Sequence, residues 1–294
     1  MFEDIVRNNC PPLAPLPTGV EPKLNKLNHV KAVLFDVYGT LFVSGSGDVG
    51  TAAATNAAEA LTQALGVAGF SGDLEQAGRI GTDRLTAEIL EWHQAGRAAG
   101  IDFPEVDIIQ IWQKIIDTLR NTETLTTPEV EFDTIRRLAL EYECRLNPAF
   151  PMPQSIETIE RIQEKGLALG IVSNAQFYTP LLFSAFFGKS VAECGFDPEC
   201  CIWSYKELEG KPSQALFPKV GTFLKQKYGI ELSETVYVGN DMLNDIYCAN
   251  AAGCQTVLFA GDQRSLRMRE NDERCLAIEP TAVITSLAQL LEIV

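Results

Sequence analysis

The chain contains 294 residues, of which 46% are hydrophobic and 21% are charged, a composition typical of a globular protein with one large or two ordinary domains. The formal net charge is −15, so the electric field of the protein repels polyanions and argues against nucleic acid or an anionic membrane as a partner. The sequence shows no signal peptide and no long apolar run, which predicts a cytoplasmic protein without a membrane span.

The cysteine and histidine contents argue against disulfide bonds, zinc sites and catalysis by histidine. Eight cysteines are present, but none forms a CxxC pair, and this predicts reduced and mostly buried thiols. His29 and His93 are the only histidines, so a zinc site or a histidine-dependent catalytic triad is disfavoured.

Residues 1–29 are predicted to form an N-terminal extension. They include the proline-rich run CPPLAPLP at 10–17 and show no sustained period, which indicates an extended arm lying on the surface or partly disordered. The apolar run VLF at 33–35 is typical of a buried central strand. Asp36 ends this run, and the carboxyl end of a strand in an open α/β sheet is the place where chemistry occurs.

The segment Gly45–Gly50 reads GSGDVG and raises the alternative of a dinucleotide-binding loop. In such a loop the glycines directly follow a strand, and a second strand ending in an acid follows the next helix. Here the first strand has already ended at Asp36, and no acid-ended strand follows Ala52–Leu65 at the expected distance. The segment is therefore interpreted as a flexible hinge.

The stretch from about Thr51 to Tyr142 has a helical pattern without an intervening strand. Four helix starts are predicted, at the Ala-rich Thr51–Leu65, at a capping box of Asp73 and Gln76, at Pro104, and at Thr127-Pro128. Four consecutive helices inserted after a first strand indicate a separate helical domain. We predict that this domain covers residues 46–153, and that residues 30–45 and 154–294 form the α/β domain.

After residue 153, strands and helices alternate. Further strands are predicted at 167–173, 201–204, 235–239 and 255–260, separated by helices that end at Gly166, Gly229 and Gly253. Together with the first strand, they predict a doubly wound, Rossmann-like parallel sheet of the α/β class with five strands.

Polar residues follow four of the predicted strands. They are Asp36 after the first strand, Ser173 and Asn174 at the end of the second, Lys211 beyond the third, and Asp241 with Asp245 after the fourth. Because the carboxyl ends of parallel strands meet at one edge of a sheet, we expect these groups to converge. A nucleophilic carboxylate, a hydroxyl donor and a lysine are the groups needed for a nucleophilic displacement on an anionic substrate. Asp241 and Asp245 would hold Mg²⁺. Each also has an ordinary alternative: a common turn residue for Asp36, a turn for Ser173-Asn174, a solvated side chain for Lys211, and a helix N-cap for Asp241.

With these residues in place, the sequence resembles the haloacid dehalogenase-like (HAD) hydrolase superfamily. The segments VLFDVYGTLF, GIVSNA, EGKPSQALF and YVGNDMLNDIYCANAAG are similar to its four ordered motifs. The resemblance implies an α/β HAD core with an all-helical cap domain between the first two motifs. It implies that Asp36 is the nucleophile and that Ser173 binds an oxygen of the transferred group. It also implies that Lys211 orients these groups and neutralises the charge of Asp36 and of the substrate's oxygens. Asp241 and Asp245 match the metal-binding acids, which share the cation with Asp36.

Two departures from the family's patterns leave the substrate class open. Family phosphatases place a second Asp two residues after the nucleophile, as acid and base for the leaving group, whereas this chain has Tyr38. A tyrosine there is typical of the 2-haloacid dehalogenases, which need no metal. Those enzymes, however, usually carry a Ser-rich fourth motif and a tyrosine six residues after the lysine. This chain has GNDMLND and Phe217 at those places.

The sequence therefore predicts a Mg²⁺-dependent phosphatase-type hydrolase that acts on a small phosphorylated metabolite through an aspartyl intermediate on Asp36. Tyr38 is counted among the catalytic residues, and Thr40 and Asn174 are assigned to substrate binding. A missing general acid costs roughly 10²–10⁴-fold in rate, whereas positioning and electrostatic stabilisation carry most of phosphoryl transfer. The alternatives are a metal-independent 2-haloacid dehalogenase and a non-catalytic descendant that only binds an anion.

Two groups of arginines remain. Arg79 and Arg84 lie in the helical region, and Arg264, Arg267 and Arg269 follow the last predicted strand. The first group is placed to reach a carboxylate of the substrate, but a solvated helix face is the favoured interpretation. The second is placed to guide an anion, but a solvated basic surface is the favoured interpretation.

Overall fold

The computed structural model describes residues 2–46, 54–127 and 129–294, which form an α/β fold. In chain order, its strands are β1 (Ala32–Phe35), β2 (Phe42–Ser44), β3 (Ala149–Pro151), β4 (Ala168–Ser173), β5 (Cys201–Trp203), β6 (Thr235–Gly239), β7 (Gln255–Phe259) and β8 (Ala282–Ile284). Six of them form a parallel sheet in the order β5-β4-β1-β6-β7-β8, and β2 pairs with β3 in an antiparallel ladder.

Helices flank this sheet and form a further layer beside it. In chain order, they are α1 (Phe2–Asn9), α2 (Ala54–Ala68), α3 (Leu74–Ala98), α4 (Ile108–Asn121), α5 (Phe132–Leu146), α6 (Ser155–Glu164), α7 (Thr179–Phe187), α8 (Ser204–Glu207), α9 (Leu216–Tyr228), α10 (Cys248–Ala251) and α11 (Leu290–Ile293). Alternate residues of β1 enter different apolar clusters, Val33 and Phe35 on one face and Ala32 and Leu34 on the other, because successive side chains of a strand point to opposite faces. Within the described ranges, no helix is both long and apolar enough to cross a membrane.

The predicted doubly wound parallel sheet is confirmed. The five predicted strands correspond to β1, β4, β5, β6 and β7, and β8 adds a sixth parallel strand beside β7. β8 has only three residues, which is too short a run for its period to identify a strand. The third predicted strand ends at Trp203, because Ser204 already begins α8.

Helices α2, α3, α4 and α5 pack on one another as a four-helix unit with an apolar core of its own. Trp112 and Tyr142 meet edge to face inside it, with ring centroids 5.1 Å apart and an interplanar angle of 77°. β2 and β3 flank this unit in the sequence, and their ladder places Ser44 opposite Ala149. The chain therefore enters and leaves the four-helix unit through one small ladder. The domain boundaries at 45/46 and 153/154 stay a prediction.

The helix starts differ in part from those that the sequence predicts. Asp73 is the N-cap of α3 as predicted, since its side chain accepts a hydrogen bond from the backbone N–H of Gln76 at 3.0 Å. The predicted capping box is not complete, because the backbone N–H of Asp73 donates to the Thr124 carbonyl oxygen and not to the Gln76 side chain. The predicted start at Pro104 is wrong, because α4 begins at Ile108 and the Asp107 side chain caps it. Asp107 offers its carboxylate to the unpaired N–H groups of the first turn, which a proline ring cannot do.

Helix α5 begins at Phe132, after Glu131 at the N-cap position. The predicted N-cap at Thr127 is therefore wrong, and Pro128 lies outside the described residues. The same holds for residues 47–50 of the glycine-rich segment, so its interpretation as a hinge stays a prediction.

The N-terminal extension contains a helix, so the prediction of an entirely extended arm is wrong. α1 packs against both α5 and α7. Asn9 Nδ2 donates to Glu141 Oε2 in α5 at 3.1 Å, and Arg7 donates to the Ala185 carbonyl in α7 at 3.0 Å. A helix of this length is marginal in isolation, so its buried apolar face stabilises it by tertiary contact. The extension thereby connects the four-helix unit with the helices of the sheet.

Candidate active site

Polar side chains converge at the carboxyl edge of the main sheet. Asp36 directly follows β1, Ser173 is the last residue of β4, and Asp245 lies beyond the end of β6. β1 lies between β4 and β6 in the sheet, so neighbouring strands bring the three residues to one place. All three are buried, and buried polar groups of this kind require partners.

Lys211 is the charged centre of this cluster. Its ammonium donates to Asp36 Oδ1 at 2.8 Å and to Asp245 Oδ1 at 2.6 Å. Burial by itself would lower the pKa of Lys211, but the carboxylates of Asp245 and Asp36 raise it above its ordinary value. The lysine therefore stays charged and holds two carboxylates that would otherwise repel each other.

Asp245 has hydrogen-bond partners on both carboxylate oxygens. Oδ1 accepts from Lys211, and Oδ2 accepts from the backbone N–H of Asp241 at 2.9 Å. Burial raises the pKa of Asp245 to about 6, against the opposing charge of Lys211. The carboxylates of Asp36 and Asp241 add to this rise. Gly239 leaves room for the group, because a Cβ at that position would overlap the Asp245 carboxyl.

Tyr237 belongs to the cluster although the sequence analysis missed it. Its hydroxyl accepts from Lys211 Nζ at 2.8 Å, lies 2.6 Å from the Val172 carbonyl oxygen and is 3.1 Å from Asp245 Oδ1. A buried tyrosine hydroxyl needs a polar partner. The tyrosine in the otherwise aliphatic strand TVYVG was therefore a signal that a polar group lies beside β6.

Ser173 and Asn174 act on different parts of the cluster. Ser173 Oγ donates to Asp36 Oδ1 at 3.0 Å, next to the hydrogen bond from Lys211. The Asn174 side chain binds the backbone of Lys211 twice, accepting from its N–H at 2.7 Å and donating to its carbonyl oxygen at 2.9 Å. Asn174 thus positions the segment that carries the lysine, a role that the sequence analysis did not predict.

Asp241 caps a π-helix that follows β6 and covers Met242–Tyr247. Its Oδ1 accepts from the backbone N–H groups of Leu243 at 2.8 Å and Asn244 at 3.2 Å. The N-cap alternative that the sequence left open for Asp241 therefore describes its local contacts. Single π-turns are rare and occur frequently at functional sites.

Arg269 binds the same Asp241 carboxylate through two nitrogens. Nη2 donates to Oδ2 at 2.6 Å, and Nε donates to Oδ1 at 3.0 Å, which is the bidentate geometry that a planar guanidinium favours. Arg269 lies in the loop between β7 and β8, with a φ of 52°. The interpretation of this residue as solvated basic surface is therefore wrong. Arg264 donates to Asp262 at 3.3 Å.

Tyr38 is not placed to supply a proton readily. Its hydroxyl lies 3.1 Å from Thr179 Oγ1. Burial raises the pKa of Tyr38 well above its ordinary value, and the nearby carboxyl of Glu143 adds to the rise. The phenol therefore stays protonated at neutral pH and is a weaker acid than a free tyrosine.

Thr40 connects two loops. Its hydroxyl donates to Asn240 Oδ1 at 3.1 Å, and Asn240 Nδ2 donates to the Ser265 carbonyl at 2.6 Å. Thr40 is fully buried and is not among the described residues that line the cavity beside Asp36. These contacts favour a role in holding the loops together, and they give no support to the substrate contact that the sequence predicts.

A cavity of about 720 Å³ lies between this cluster and the four-helix unit. On the sheet side, its lining includes Asp36, Tyr38, Asn174, Lys211, Asp241, Asp245 and Arg267. Helices α3, α4 and α5 supply residues on the opposite side. A cavity with charged groups on the sheet side and helices on the other side is the form expected of a small-molecule site.

Glu143 enters this cavity from α5, and no sequence signal singled it out. Asn147 Nδ2 donates to its Oε1 at 3.3 Å. Burial raises the pKa of Glu143, while hydrogen bonds from Tyr178 and Asn147 oppose the rise. In the sequence it is one acid within an amphipathic helical pattern, which fits a solvated position equally well.

The fit of this site to a metal ion is incomplete. Asp36, Asp241 and Asp245 all line the cavity, and carboxylate oxygens are the ligands that Mg²⁺ prefers. In the part of the chain that the structure describes, however, no group of three or more His, Cys, Asp or Glu side chains is arranged to hold a metal ion. Arg269 forms an ion pair with the Asp241 carboxylate, and Lys211 forms ion pairs with both Asp36 and Asp245. The carboxylates are thus arranged as ion pairs, and a cation would have to displace Arg269.

Comparison with known proteins identifies the family. Residues 30–253 match the haloacid dehalogenase-like hydrolase family. The phosphoglycolate phosphatase of Shigella boydii is 30% identical over 248 residues, which cover 80% of this chain and 82% of that protein. The ribulose-1,5-bisphosphate 5-phosphatase of Halopiger xanaduensis is 24% identical over 227 residues, covering 77% of this chain and 91% of that protein.

Among solved structures, a 2-haloacid dehalogenase from Pseudomonas syringae pv. Tomato DC3000 superimposes with a TM-score of 0.56 at 18% sequence identity. The match covers 90% of this chain and 97% of that one, and at this identity it shows a common fold. The chain belongs to the haloacid dehalogenase-like hydrolase family, as the resemblance of its four motifs predicted. It is a hydrolase with the α/β fold of that family.

Proposed function

We propose that this hydrolase is a phosphatase of a small phosphorylated metabolite and that Asp36 forms the covalent intermediate. The observation that carries the proposal is the setting of Asp36, which is buried at the end of the central strand, bound by Lys211 and Ser173, and open to the cavity. A carboxylate fixed in this way is a nucleophile oriented in advance. The curated relatives named above are phosphatases that match most of this chain.

In the first step, the carboxylate of Asp36 attacks phosphorus, the bond between phosphorus and the leaving-group oxygen breaks, and the leaving group departs as an oxyanion that takes a proton from water. Lys211 and Ser173 both donate to Asp36 Oδ1, so they leave the other oxygen to form the new bond. The ammonium of Lys211 offsets the negative charge of the incoming phosphate and of the transition state.

In the second step, water attacks the phosphorus of the aspartyl phosphate. The bond between phosphorus and Asp36 breaks, the carboxylate is restored, and the phosphate product keeps the protons of the water. The fixed contacts of Lys211 to Asp36 and Asp245 keep the nucleophile in place between turnovers.

Mg²⁺ is proposed as the cofactor on the chemistry of Asp36, Asp241 and Asp245, which line one cavity and supply oxygen ligands. Binding requires the guanidinium of Arg269 to release Asp241. The charge of the site supports a cation, because Lys211 and Arg269 offer two positive charges against the three carboxylates and a phosphate dianion adds further negative charge. Arg269→Gln should therefore lower the Mg²⁺ concentration that is needed for half-maximal activity.

A metal-independent 2-haloacid dehalogenase is the second candidate function. Two observations favour it: Tyr38 stands two residues after Asp36, and Arg269 occupies the carboxylate that would bind a metal. The curated relatives argue against it, because those named above are phosphatases at 30% and 24% identity, whereas the dehalogenase match at 18% identity supports the fold alone.

A panel of phosphate monoesters and 2-chloro acids, each assayed with Mg²⁺ and with chelator, tests the proposal. We expect phosphate release that depends on Mg²⁺ and no halide release. Halide release that persists in chelator would establish the dehalogenase instead. Phosphate release unchanged by chelator would retain the phosphatase and remove the metal. If neither product forms while inorganic phosphate still binds, the chain is a non-catalytic anion-binding protein.

Tyr38 gives a second test, since a site without a carboxyl general acid should depend steeply on the basicity of the leaving group. Wild-type protein should favour phenyl phosphate over the similarly shaped benzyl phosphate, because phenolate leaves with little need for a proton. Tyr38→Asp should restore a carboxyl acid and raise benzyl phosphate turnover by about 10-fold or more, within the ~10²–10⁴-fold range of general acid catalysis. The measurement is the phenyl-to-benzyl ratio of kcat/KM.

Tyr38→Phe is the matched control. It removes the hydroxyl that lies 3.1 Å from Thr179 Oγ1 but adds no acid, so it should keep the wild-type ratio. A ratio that falls equally in the Phe and Asp variants would assign the effect to lost packing. A ratio that is unchanged in folded Tyr38→Asp would mean that residue 38 does not stand at the position of the general acid.

A further inference from the structure

The part of the cavity that the four-helix unit lines is apolar and aromatic. Leu85 and Ile89 enter from α3, Trp112 from α4, and Tyr142 and Leu146 from α5. The rings of Trp112 and Tyr142 meet edge to face with centroids 5.1 Å apart. Such a surface binds hydrocarbon and ring systems by burial and by aromatic contact.

Cations are missing from this part of the cavity. Among the described residues of the four-helix unit that line it, none is lysine or arginine, and the sequence of residues 47–53 contains neither. Arg79 and Arg84 are exposed and do not line the cavity. His93 does line it, but burial and the charge of Arg97 lower its pKa, so the imidazole is neutral near pH 7.

Carboxyl groups are present there instead. Glu143 lines the cavity from α5, and Glu105 lines it from the segment between α3 and α4. Ser204 Oγ, from the α/β part of the chain, donates a hydrogen bond to the Glu105 carboxylate at 2.8 Å. Burial raises the pKa of both Glu105 and Glu143. A second anionic group, carried by a leaving group that lies against the four-helix unit, would therefore meet Glu143 and Glu105 without a lysine or arginine from that unit, and burying an unpaired charge is strongly unfavourable. Arg267 lines the cavity from the sheet side, where it donates to the backbone carbonyl oxygens of Arg264 and Leu266.

On the basis of the proposed phosphatase function, we infer that the substrate is a phosphate monoester whose leaving group is uncharged and largely apolar, of the size of an aromatic ring. The phosphate lies at the Lys211 end, and the leaving group lies between α3, α4 and α5. Esters with a carboxylate or a second phosphate in the leaving group are poor substrates. Phosphoglycolate and ribulose 1,5-bisphosphate, which the names of the relatives contain, belong to that excluded class.

Calorimetric binding of two phosphonates to the full chain, with Mg²⁺ present, tests the inference directly. Benzylphosphonate and 4-carboxybenzylphosphonate share their shape and phosphorus group and differ by one carboxylate. We expect benzylphosphonate to bind at least about 10-fold more tightly, since the carboxylate lacks a partner. Equal affinity, tighter binding of the carboxylated compound, or no binding of either would overturn the inference. Tighter binding of 4-(aminomethyl)benzylphosphonate than of benzylphosphonate would overturn it in favour of a cationic leaving group.

A charge placed on the cavity wall provides the matched variant. Thr86 lines the cavity and is exposed on α3, so a longer side chain is accommodated there. Thr86→Arg should reduce the ratio of the two affinities by about 3-fold or more, because it supplies a partner for the carboxylate. Thr86→Gln lacks the charge and should retain the wild-type ratio. An equal change in both variants would contradict the electrostatic explanation.

Turnover of benzyl phosphate and 4-carboxybenzyl phosphate, measured in parallel, separates this inference from the proposed function. Selective binding without phosphate release would sustain the inference about the cavity and reject the phosphatase. Phosphate release from both esters with equal kcat/KM would sustain the phosphatase and reject the inference.

Discussion

Replacing Asp36 with asparagine is expected to lower kcat/KM by at least about a thousandfold, because an amide is a poor nucleophile toward phosphorus. The two side chains have the same shape, and asparagine Oδ1 can still accept the hydrogen bonds that Ser173 and Lys211 donate to Asp36 Oδ1. The loss should therefore lie in the chemical step and not in folding. Steady-state phosphate release, together with a thermal melt of each protein, measures both.

Asp197→Asn is the matched control for this change. Asp197 is also buried and paired with a lysine, 2.8 Å from Lys227 Nζ, but it does not line the cavity. It should retain activity within a few-fold of wild type. Wild-type turnover in a folded Asp36→Asn variant would rule out Asp36 as the nucleophile. Equal losses in the two variants would assign the effect to general destabilisation.

Lys211→Met should both inactivate and destabilise the protein. Methionine keeps most of the length and apolar contact of the lysine but removes the charge that joins Asp36 to Asp245. Breaking a buried ion pair from one side costs about 3–5 kcal/mol, because the remaining charges are left without a partner. Urea denaturation should show a loss of this size in the free energy of unfolding, and phosphate release should fall to background.

The pH dependence of this loss follows from Asp245. Burial raises its pKa to about 6 in the folded protein, above the unfolded value of about 3.9. The folded state therefore binds the proton more tightly, and stability falls as the pH rises through that window. Without the opposing charge of Lys211 the pKa rises further, so the difference between Lys211→Met and wild type should be smaller at about pH 5 than at about pH 7.5.

A double variant distinguishes this electrostatic explanation from lost packing. Lys211→Met combined with Asp245→Asn removes one of the two unpaired charges and should recover part of the stability that the single variant loses. A loss below about 1 kcal/mol in Lys211→Met, within the range of an exposed ion pair, would contradict the view that the cluster is held by this lysine. So would a double variant whose losses simply add.

The main sheet could be predicted because its central strands carry a strong local signal. The run TVYVG predicts a strand over residues 235–239, and β6 covers the same residues. The missed elements are short and depend on distant contacts. α1 is stabilised by packing on α5 and α7. β2 and β3 pair with each other although the entire four-helix unit separates them in the sequence.

The residues at the strand ends of the site could be predicted once the strands were located, since the topology of a parallel sheet brings Asp36 and Ser173 together. Lys211 lies beyond the end of β5, and its position depends on the backbone contacts with Asn174. Tyr237 was missed although its polar hydroxyl in a buried strand was a readable signal.

Arg269 and Glu143 could not be assigned from the sequence. The contact of Arg269 with Asp241 depends on the path of a long loop with a residue at positive φ, and no local pattern specifies such a path. Glu143 lines the cavity because α5 lies between two apolar clusters, with Leu140 and Cys144 in the cluster of the main sheet and Tyr142 in that of the four-helix unit. A charged residue in an amphipathic helix is usually solvated. Both positions are set by tertiary contacts.

The most direct test of the central claim is the mass of the peptide that contains Asp36 after acid quenching during turnover of a phosphate ester. In acid, an aspartyl phosphate hydrolyses slowly enough for the phosphorylated peptide to be identified. The proposed mechanism predicts one phosphoryl group on Asp36 in the wild-type protein and none in Asp36→Asn. Phosphate release without any phosphorylated Asp36 peptide, or an ester of Asp36 formed from a 2-chloro acid, would contradict it.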